Sequence, residues 1–429
     1  YDPDGTSGIL NIILKKRIDG GLNGSVSLNF GTGDKYNGSI NLNYRTPYFN
    51  FFTSYDSRIA RKKNEGTSLR TNLINNNTSF VDQENSGIFD FGSHNLSAGL
   101  DYLYDNYSTF TFLYRLRKFG FDSDGKVETT NKNSSQQLTN YFERSNVADR
   151  NMNSDNYTFS YRRTFKTKGA ELTADVIFSD HAMNRNENIV QSNFDINLNP
   201  VGKVLQRGLS SNSNEQFTLQ SNYVNPIEGF GRIETGFKTT FKDLNSKNDY
   251  LNYDNSLLTW LEDPLRKTDF DYKEQIYAVY GIYSNNINKF QYQIGLRAEQ
   301  ANVDGSESVT LTSFNKNYFS LYPTVHLVQV LSNDQEIQLS YSRRVERPNN
   351  RQLNPYVDKT DSLNIQYGNP ELNPEFVNSF DLGYSKLFGK TSLTSSVFYK
   401  LTDDAIINFT VLRNDGVTET TFRNLANSK

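Results

Sequence analysis

Three features of the sequence predict an all-β fold, an antiparallel up-and-down β-barrel that crosses a membrane with strands. Apolar and polar residues alternate with a period of two in segment after segment. Tyr and Phe are plentiful, 27 and 30 of 429 residues, while the mean hydropathy is only -0.68. The connections between segments alternate between short and long.

The alternation is plain in single segments. In LNGSVSLNF, Leu22, Val26, Leu28 and Phe30 lie on one face and Asn23, Ser25, Ser27 and Asn29 on the other. YNGSINLNY sets Ile40, Leu42 and Tyr44 against Ser39, Asn41 and Asn43. HNLSAGLDY, EQFTLQSNY and FQYQIGLRAE repeat the pattern at residues 94, 215 and 290. A period of two gives a strand with one apolar and one polar face. About fifteen such segments occur, beginning near residues 22, 36, 48, 94, 107, 155, 170, 215, 231, 274, 288, 318, 335, 378 and 391. Each is near the roughly ten residues that a tilted strand needs to cross a bilayer. No helical pattern of useful length interrupts them; LLTWLEDPLRK is stopped by Pro264 and reads as loop.

Short connections fall at Arg45–Pro47, Asp105–Asn106, Lys166–Gly169, Asn225–Gly229, Asn285–Ile287, Leu331–Asp334 and Phe388–Lys390. Long loops are expected near 60–93, 118–154, 181–214, 243–273, 301–316 and 346–376. Tight turns on the periplasmic side and long loops outside are the layout of an outer-membrane barrel. A soluble propeller would show a fixed repeat, and none is found.

Composition excludes several classes. Lys+Arg 45 against Asp+Glu 48 leaves a net charge of -3, without a basic stripe for nucleic acid. The absence of cysteine removes disulfide scaffolds, Cys-based zinc sites and a cysteine nucleophile. No stretch approaches the about 18 apolar residues of a membrane helix, which leaves strand crossings open. No signal peptide is visible, since Tyr1 is not a natural start.

Two motifs resemble one family. The opening GTSGILNIILKK, with Gly5, Gly8, Asn11 and Ile12, resembles the end of the plug domain in TonB-dependent outer-membrane receptors, where a small-residue turn precedes a G-x-I-N-I-x-x-K strand. Here Leu10 precedes Asn11, a mild departure. Far downstream, YGNPELNPEFVNSFDLGYS resembles the family's late-barrel N-P-x-L-x-P-E element, through Asn369, Pro370, Leu372, Pro374 and Glu375, followed by Asp381 and Gly383. The resemblance implies that residues 1–18 are the end of a plug and its linker, and 19–429 a partial barrel. Family barrels have 22 strands, so the chain is expected to be a piece of a longer protein whose plug is mostly missing.

Inside a closed barrel the polar faces line the lumen. Asp101, Arg115, Asp175, Glu234, Lys238, Arg297, Glu299, Arg344 and Asp381 are the charged residues expected there, while Arg343 points outward. On the lipid side a Lys or Arg at mid-depth would cost about 2–4 kcal/mol. For most of these residues ordinary solvation and barrel ion pairs suffice; contact with a plug or a passing substrate is the functional alternative.

The resemblance implies active import of a scarce ligand (siderophore, cobalamin, glycan or peptide) across the outer membrane of a Gram-negative bacterium. The partners implied are outer-membrane lipid, the TonB complex through a missing N-terminal segment, a small ligand, and a surface lipoprotein or larger membrane complex, with no nucleic acid. The alternative is a non-importing barrel, an adhesin or a component of a secretion or surface complex. No enzyme is expected and no cofactor: G-x-S-x-G, Walker A and H-E-x-x-H are absent, and His94, His181 and His326 lie far apart. FDSDGKVE, with Asp122, Asp124 and Glu128, lacks the spacing of a calcium loop and reads as a solvated turn. Tyr250, Tyr253, Trp260 and Tyr356 in the outer loops suit stacking on a ligand or packing of the loops together.

Overall fold

The computed structural model describes residues 20–74, 77–332, 334–361, 364–413 and 417–428. The proposed plug end, with Gly5, Gly8, Asn11 and Ile12, lies outside the described residues.

The strands are β1 (Gly21–Gly31), β2 (Lys35–Arg45), β3 (Phe49–Ile74), β4 (Asn77–Leu103), β5 (Ser108–Lys132), β6 (Leu138–Thr164), β7 (Glu171–Phe194), β8 (Pro200–Ile227), β9 (Gly231–Asp254) and the short β10 (Thr259–Glu262). After a 3-10 turn at Pro264–Arg266 come β11 (Thr268–Ile287), β12 (Phe290–Glu307), β13 (Thr312–Val330) and β14 (Gln335–Glu346). The one-turn helix α1 (Asn350–Leu353) and two short strands, β15 (Val357–Asp361) and β16 (Asn364–Tyr367), precede β17 (Glu375–Phe388), β18 (Thr391–Leu412) and β19 (Thr418–Ser428). The fifteen alternating segments are β1–β9, β11–β14, β17 and β18.

Each long strand pairs antiparallel with its neighbour, β9 with β11 and β14 with β17 across the intervening insertions. The result is one sheet that bends round on itself: β3 and β8 line the same cavity. Among the described residues no pairing joins β1 to β18 or β19, so the sheet is open there.

Several of the expected long loops are not loops. The strands run far past the bilayer, and β3–β9 have 24–28 residues each, roughly 80–90 Å of extended chain. The stretches 60–93, 118–154, 181–214, 243–273 and 301–316 are mostly two-stranded extensions. Hydrogen-bonded pairing from Arg61↔Asp90 up to Leu73↔Thr78 carries β3–β4 outward. Tip carboxylates and amides fasten the turns: Asp195 Oδ1 accepts from the Asn197 and Asn199 amides at 2.9 and 2.8 Å, and Asp254 Oδ1 from Ser256 and Leu257 at 2.7 and 2.9 Å. FDSDGKVE is likewise extended, inside β5, rather than a turn. LLTWLEDPLRK forms β10 and the 3-10 turn. Among the described residues, those of 346–376 depart furthest from the ladder, and Leu353 and Leu372 fold inward.

The outer face carries exposed aliphatic and aromatic side chains. Val279 is 60% exposed, Leu296 50% and Phe319 64%. Near the short turns the rings touch one another, Phe49 on Tyr102, Tyr102 on Phe110 and Phe110 on Tyr161, with centroids 5.3, 6.4 and 4.8 Å apart. A belt of amphipathic rings at a membrane boundary suits their apolar body and polar tip.

The inner face is polar and its register is continuous. Starting from Asn50, the opposed positions are Asp101, Thr111, Ser160, Asp175, Gln220, Lys238, Ala278, Glu299 and Ser320. This row climbs. Asp101 lies beside the short-turn end of β4 at Leu103, whereas Glu299 lies well inside β12, which starts at Phe290. Strand tilt in a barrel produces this stagger.

Candidate functional site

All nine charged residues expected in the lumen share the inner face by register. Asp101, Asp175, Lys238 and Glu299 belong to the climbing row. Asp101 accepts from Asn50 at 2.9 Å and from Thr111 at 2.7 Å. Asp175 accepts from Ser160 at 2.5 Å and from Gln220 at 3.0 Å. Neutral donors thus satisfy these carboxylates along the ladder, an economical use of a wet polar face. Arg115 stands exposed opposite Ser97 and Asn156. Glu234 pairs with Arg232 at 3.1 Å. Arg344 and Asp381 sit opposite Val377 and Ser340. Arg343, on the outer face, lies 4.8 Å from the Phe376 ring.

Two of the nine are brought into a buried cluster. Arg297 and Glu299 are each 2% exposed. Arg297 donates from Nε and Nη2 to Glu299 Oε1 at 2.7 and 2.6 Å, and Arg347 takes the other carboxylate oxygen. Arg347 begins the infolded segment, so the triad ties that segment to the barrel wall.

The N-P-x-L-x-P-E motif is the other end of this seat. Leu372 is fully buried and joins Leu353 of α1, Leu244, Phe270, Tyr272 and Val303 in the apolar cluster on the inner face. Asn369 donates to the Phe422 carbonyl at 3.0 Å and accepts from the Glu371 amide at 2.9 Å. Lys316 of β13 donates to the Leu372 carbonyl, and burial pushes its ammonium pKa down. Glu375 accepts the Ile406 amide of β18 at 2.9 Å. Helix α1 is short enough to need its capping box, in which Asn349 and Gln352 exchange hydrogen bonds.

Two adjoining cavities lie on the inner face in the half of the barrel that carries the long hairpins. The larger, about 1020 Å³, is lined by β3–β8 with Arg266, Asn364 and Gln366. The smaller, about 370 Å³, shares Arg185, Glu187 and Gln366 with it and adds Tyr250, Arg351, Tyr356 and Phe422. Arg70, Arg144, Arg185 and Arg266 line the larger cavity against one carboxylate, Glu187. Glu187 is 4% exposed; it pairs with Arg185 and accepts from the Tyr250 hydroxyl at 3.0 Å.

The loop aromatics pack the loops. Tyr250 also carries the Arg266 guanidinium 3.7 Å above its ring, and the Tyr356 hydroxyl donates to the Arg266 carbonyl at 2.9 Å. Tyr253 and Trp260 pair edge to face at 5.3 Å. Arg266 and Arg347 are residues that sequence reasoning missed: both sit where periodicity stops, and Pro264 beside the first was the only local signal. Among the described residues no group of three His, Cys, Asp or Glu side chains is placed to hold a metal ion.

Residues 163–429 match the family described as "Outer membrane protein beta-barrel family". No curated protein sequence matches. The copper transporter OprC superposes with a TM-score of 0.61 at 10% identity, over 94% of this chain and 57% of that one. The ferric enterobactin receptor PfeA of Pseudomonas aeruginosa gives 0.55 at 11%, over 95% and 58%. The hemophore receptor HasR of Serratia marcescens gives 0.55 at 12%, over 95% and 59%. The chain therefore spans less than two thirds of the length of these structures, and at such identities they show the fold alone. With more than half of its length matching the family, the chain belongs to the outer membrane β-barrel family, and its fold is like those of the OprC, PfeA and HasR barrels.

Proposed function

We propose that the chain is the barrel of an outer-membrane receptor that captures a scarce ligand between its long hairpins and admits it past a plug, with energy from a TonB-type partner. The observation that carries this reading is the pair of cavities lined by the hairpins and the infolded segment. In it, residues 1–18 end the plug, 19–429 supply the barrel wall, and the climbing polar row lines the way inward. The structural neighbours named for copper, ferric enterobactin and a hemophore with heme support a ligand of the scarce-nutrient class. The barrel then binds and conducts, and makes or breaks no bond. The test is ligand-limited growth of the native strain with and without its TonB gene, compared with deletion of this receptor. Growth that depends on the receptor but not on TonB sinks the importer reading.

One observation favours a second reading, a barrel that docks another surface protein. Leu198, Leu258 and Leu311 sit at three hairpin tips, 57%, 74% and 89% exposed, each with a left-handed backbone (φ 64, 52 and 55). Side chains other than Gly, Asn or Asp are uncommon in that conformation. Cross-linking at these tips on intact cells tests for a surface lipoprotein or complex partner; cross-links only to lipopolysaccharide would remove this reading.

A further inference from the structure

We propose that the outer cavity takes a ligand bearing a carboxylate or phosphate group, and that Arg266 is the residue that grips it. This rests on reading that cavity as the capture site. Arg266 is 5% exposed and lines the larger cavity from the 3-10 turn. Its guanidinium carbon lies over the Tyr250 ring, 3.7 Å from the centroid, so the ring supports the group from one side. Its Nε and Nη2 have no hydrogen-bond partner in the protein. These two N–H groups form one edge of the guanidinium, a fork that matches two oxygens of one anion. The same edge is used elsewhere in the molecule: Arg61 Nε and Nη2 donate to Asp90 Oδ1 and Oδ2 at 2.7 and 2.9 Å. A buried guanidinium edge without an acceptor is unfavourable, and groups of this kind are rare in folded proteins.

The surroundings favour the same ligand chemistry. The one lining carboxylate, Glu187, is held by Arg185 and by Tyr250, so it does not neutralise Arg266. Arg70 Nε likewise has no acceptor. Four guanidinium groups against one carboxylate in a half-open cavity concentrate positive potential, and burial of the fork lessens the salt sensitivity of an ion pair there. About 1020 Å³ admits a ligand of several hundred daltons. The hydroxyls of a neutral glycan can accept from the fork but leave its charge uncompensated.

The test is isothermal titration of the full, detergent-solubilised chain with citrate and with inorganic phosphate, using glucose as the neutral control. We expect one or both anions to bind at least ten-fold more tightly than glucose. Binding by citrate alone marks a carboxylate ligand, and by phosphate alone a phosphoryl one. Arg266→Gln should weaken the anion at least ten-fold, and Arg266→Lys should recover only part, since it restores charge without the fork. Arg61→Gln, on the exposed outer side of β3–β4, should change nothing. Neither anion binding above glucose, or Arg266→Gln binding as well as the parent, overturns the proposal. The two readings separate: anion binding without TonB-dependent growth ends the importer reading alone, and TonB-dependent uptake of a neutral ligand indifferent to Arg266 ends this one alone.

Discussion

The two halves of the barrel wall hold themselves up in different ways. From β3 to β6 the strands rise far above the bilayer, yet little packs behind them; inner residues such as Arg115 and Arg117 stay exposed. From β11 to β13 the inner face is filled. Arg297, Glu299, Ala301, Val303 and Glu307 are all nearly or wholly buried under the infolded segment. The first half relies on uninterrupted ladders and cross-strand ring contacts such as Phe89–Phe121 and Phe91–Phe119 at 5.5 and 4.9 Å. The second relies on a core and a charge cluster. The contrast teaches that an antiparallel ladder suffices to carry a hairpin into water, and that packing is spent where one segment must be held in one place.

The largest effect should come from removing the centre of the triad. Glu299→Gln leaves Arg297 and Arg347 buried without their carboxylate and should destabilise the seat by about 3–5 kcal/mol. Amide exchange should then accelerate across 347–374 and stay unchanged in β3–β6; equal exchange in both halves would erase the contrast. Leu372→Ala should cost the seat about 2–5 kcal/mol by cavity formation, read by the same exchange measurement and by new proteolysis within the segment. The same truncation at Leu113, on the half-open wall, should cost distinctly less. On the outer face Val279→Arg should impair insertion into lipid vesicles by about 2–4 kcal/mol, whereas Thr111→Arg, inside, should insert normally.

The smallest effect concerns the tips of the tall half. The backbone amide of Asn199 first, then its side chain and the Asn197 amide, hold the Asp195 carboxyl below the usual carboxylate range. A depressed value in the folded state gives stabilisation that is complete above about pH 4 and is lost as pH falls through the folded value. Intrinsic-rate-corrected exchange at Asn197 and Asn199 should therefore be flat between pH 8 and 5 and rise only on stronger acidification. A change near neutrality would show that another group fastens the tip.

Much of this was legible because a bilayer imposes a strict pattern. Segments such as 94–102 and 290–296 alternate without exception where one face meets lipid and the other water. The same strands become hard to read above the membrane, where both faces meet water and alternation carries no penalty; β3 beyond Arg61 reads KKNEGTSLRTN and still continues the ladder. Arg297 and Glu299 could be given a face from parity, but their burial depends on Arg347, which arrives from a segment without a period. Arg266 is the extreme case. Its neighbours along the chain, Pro264 and Lys267, say turn and surface, and only the fold places it over Tyr250.

The climbing row has a mechanical consequence. Each register is fixed only between neighbours, from Asn50↔Asp101 to Glu299↔Ser320, so height around the wall accumulates like the thread of a screw. Deleting two residues from the middle of β7 would keep every side chain on its own face, because the period is two. It would nevertheless re-index every later strand by about 7 Å against the earlier ones. Arg266 would then meet β3 and β4 one rung out of step, although the cut lies in neither. The alignment of the cavity is thus a sum over the whole thread, and strands remote from Arg266 help to set what it can reach.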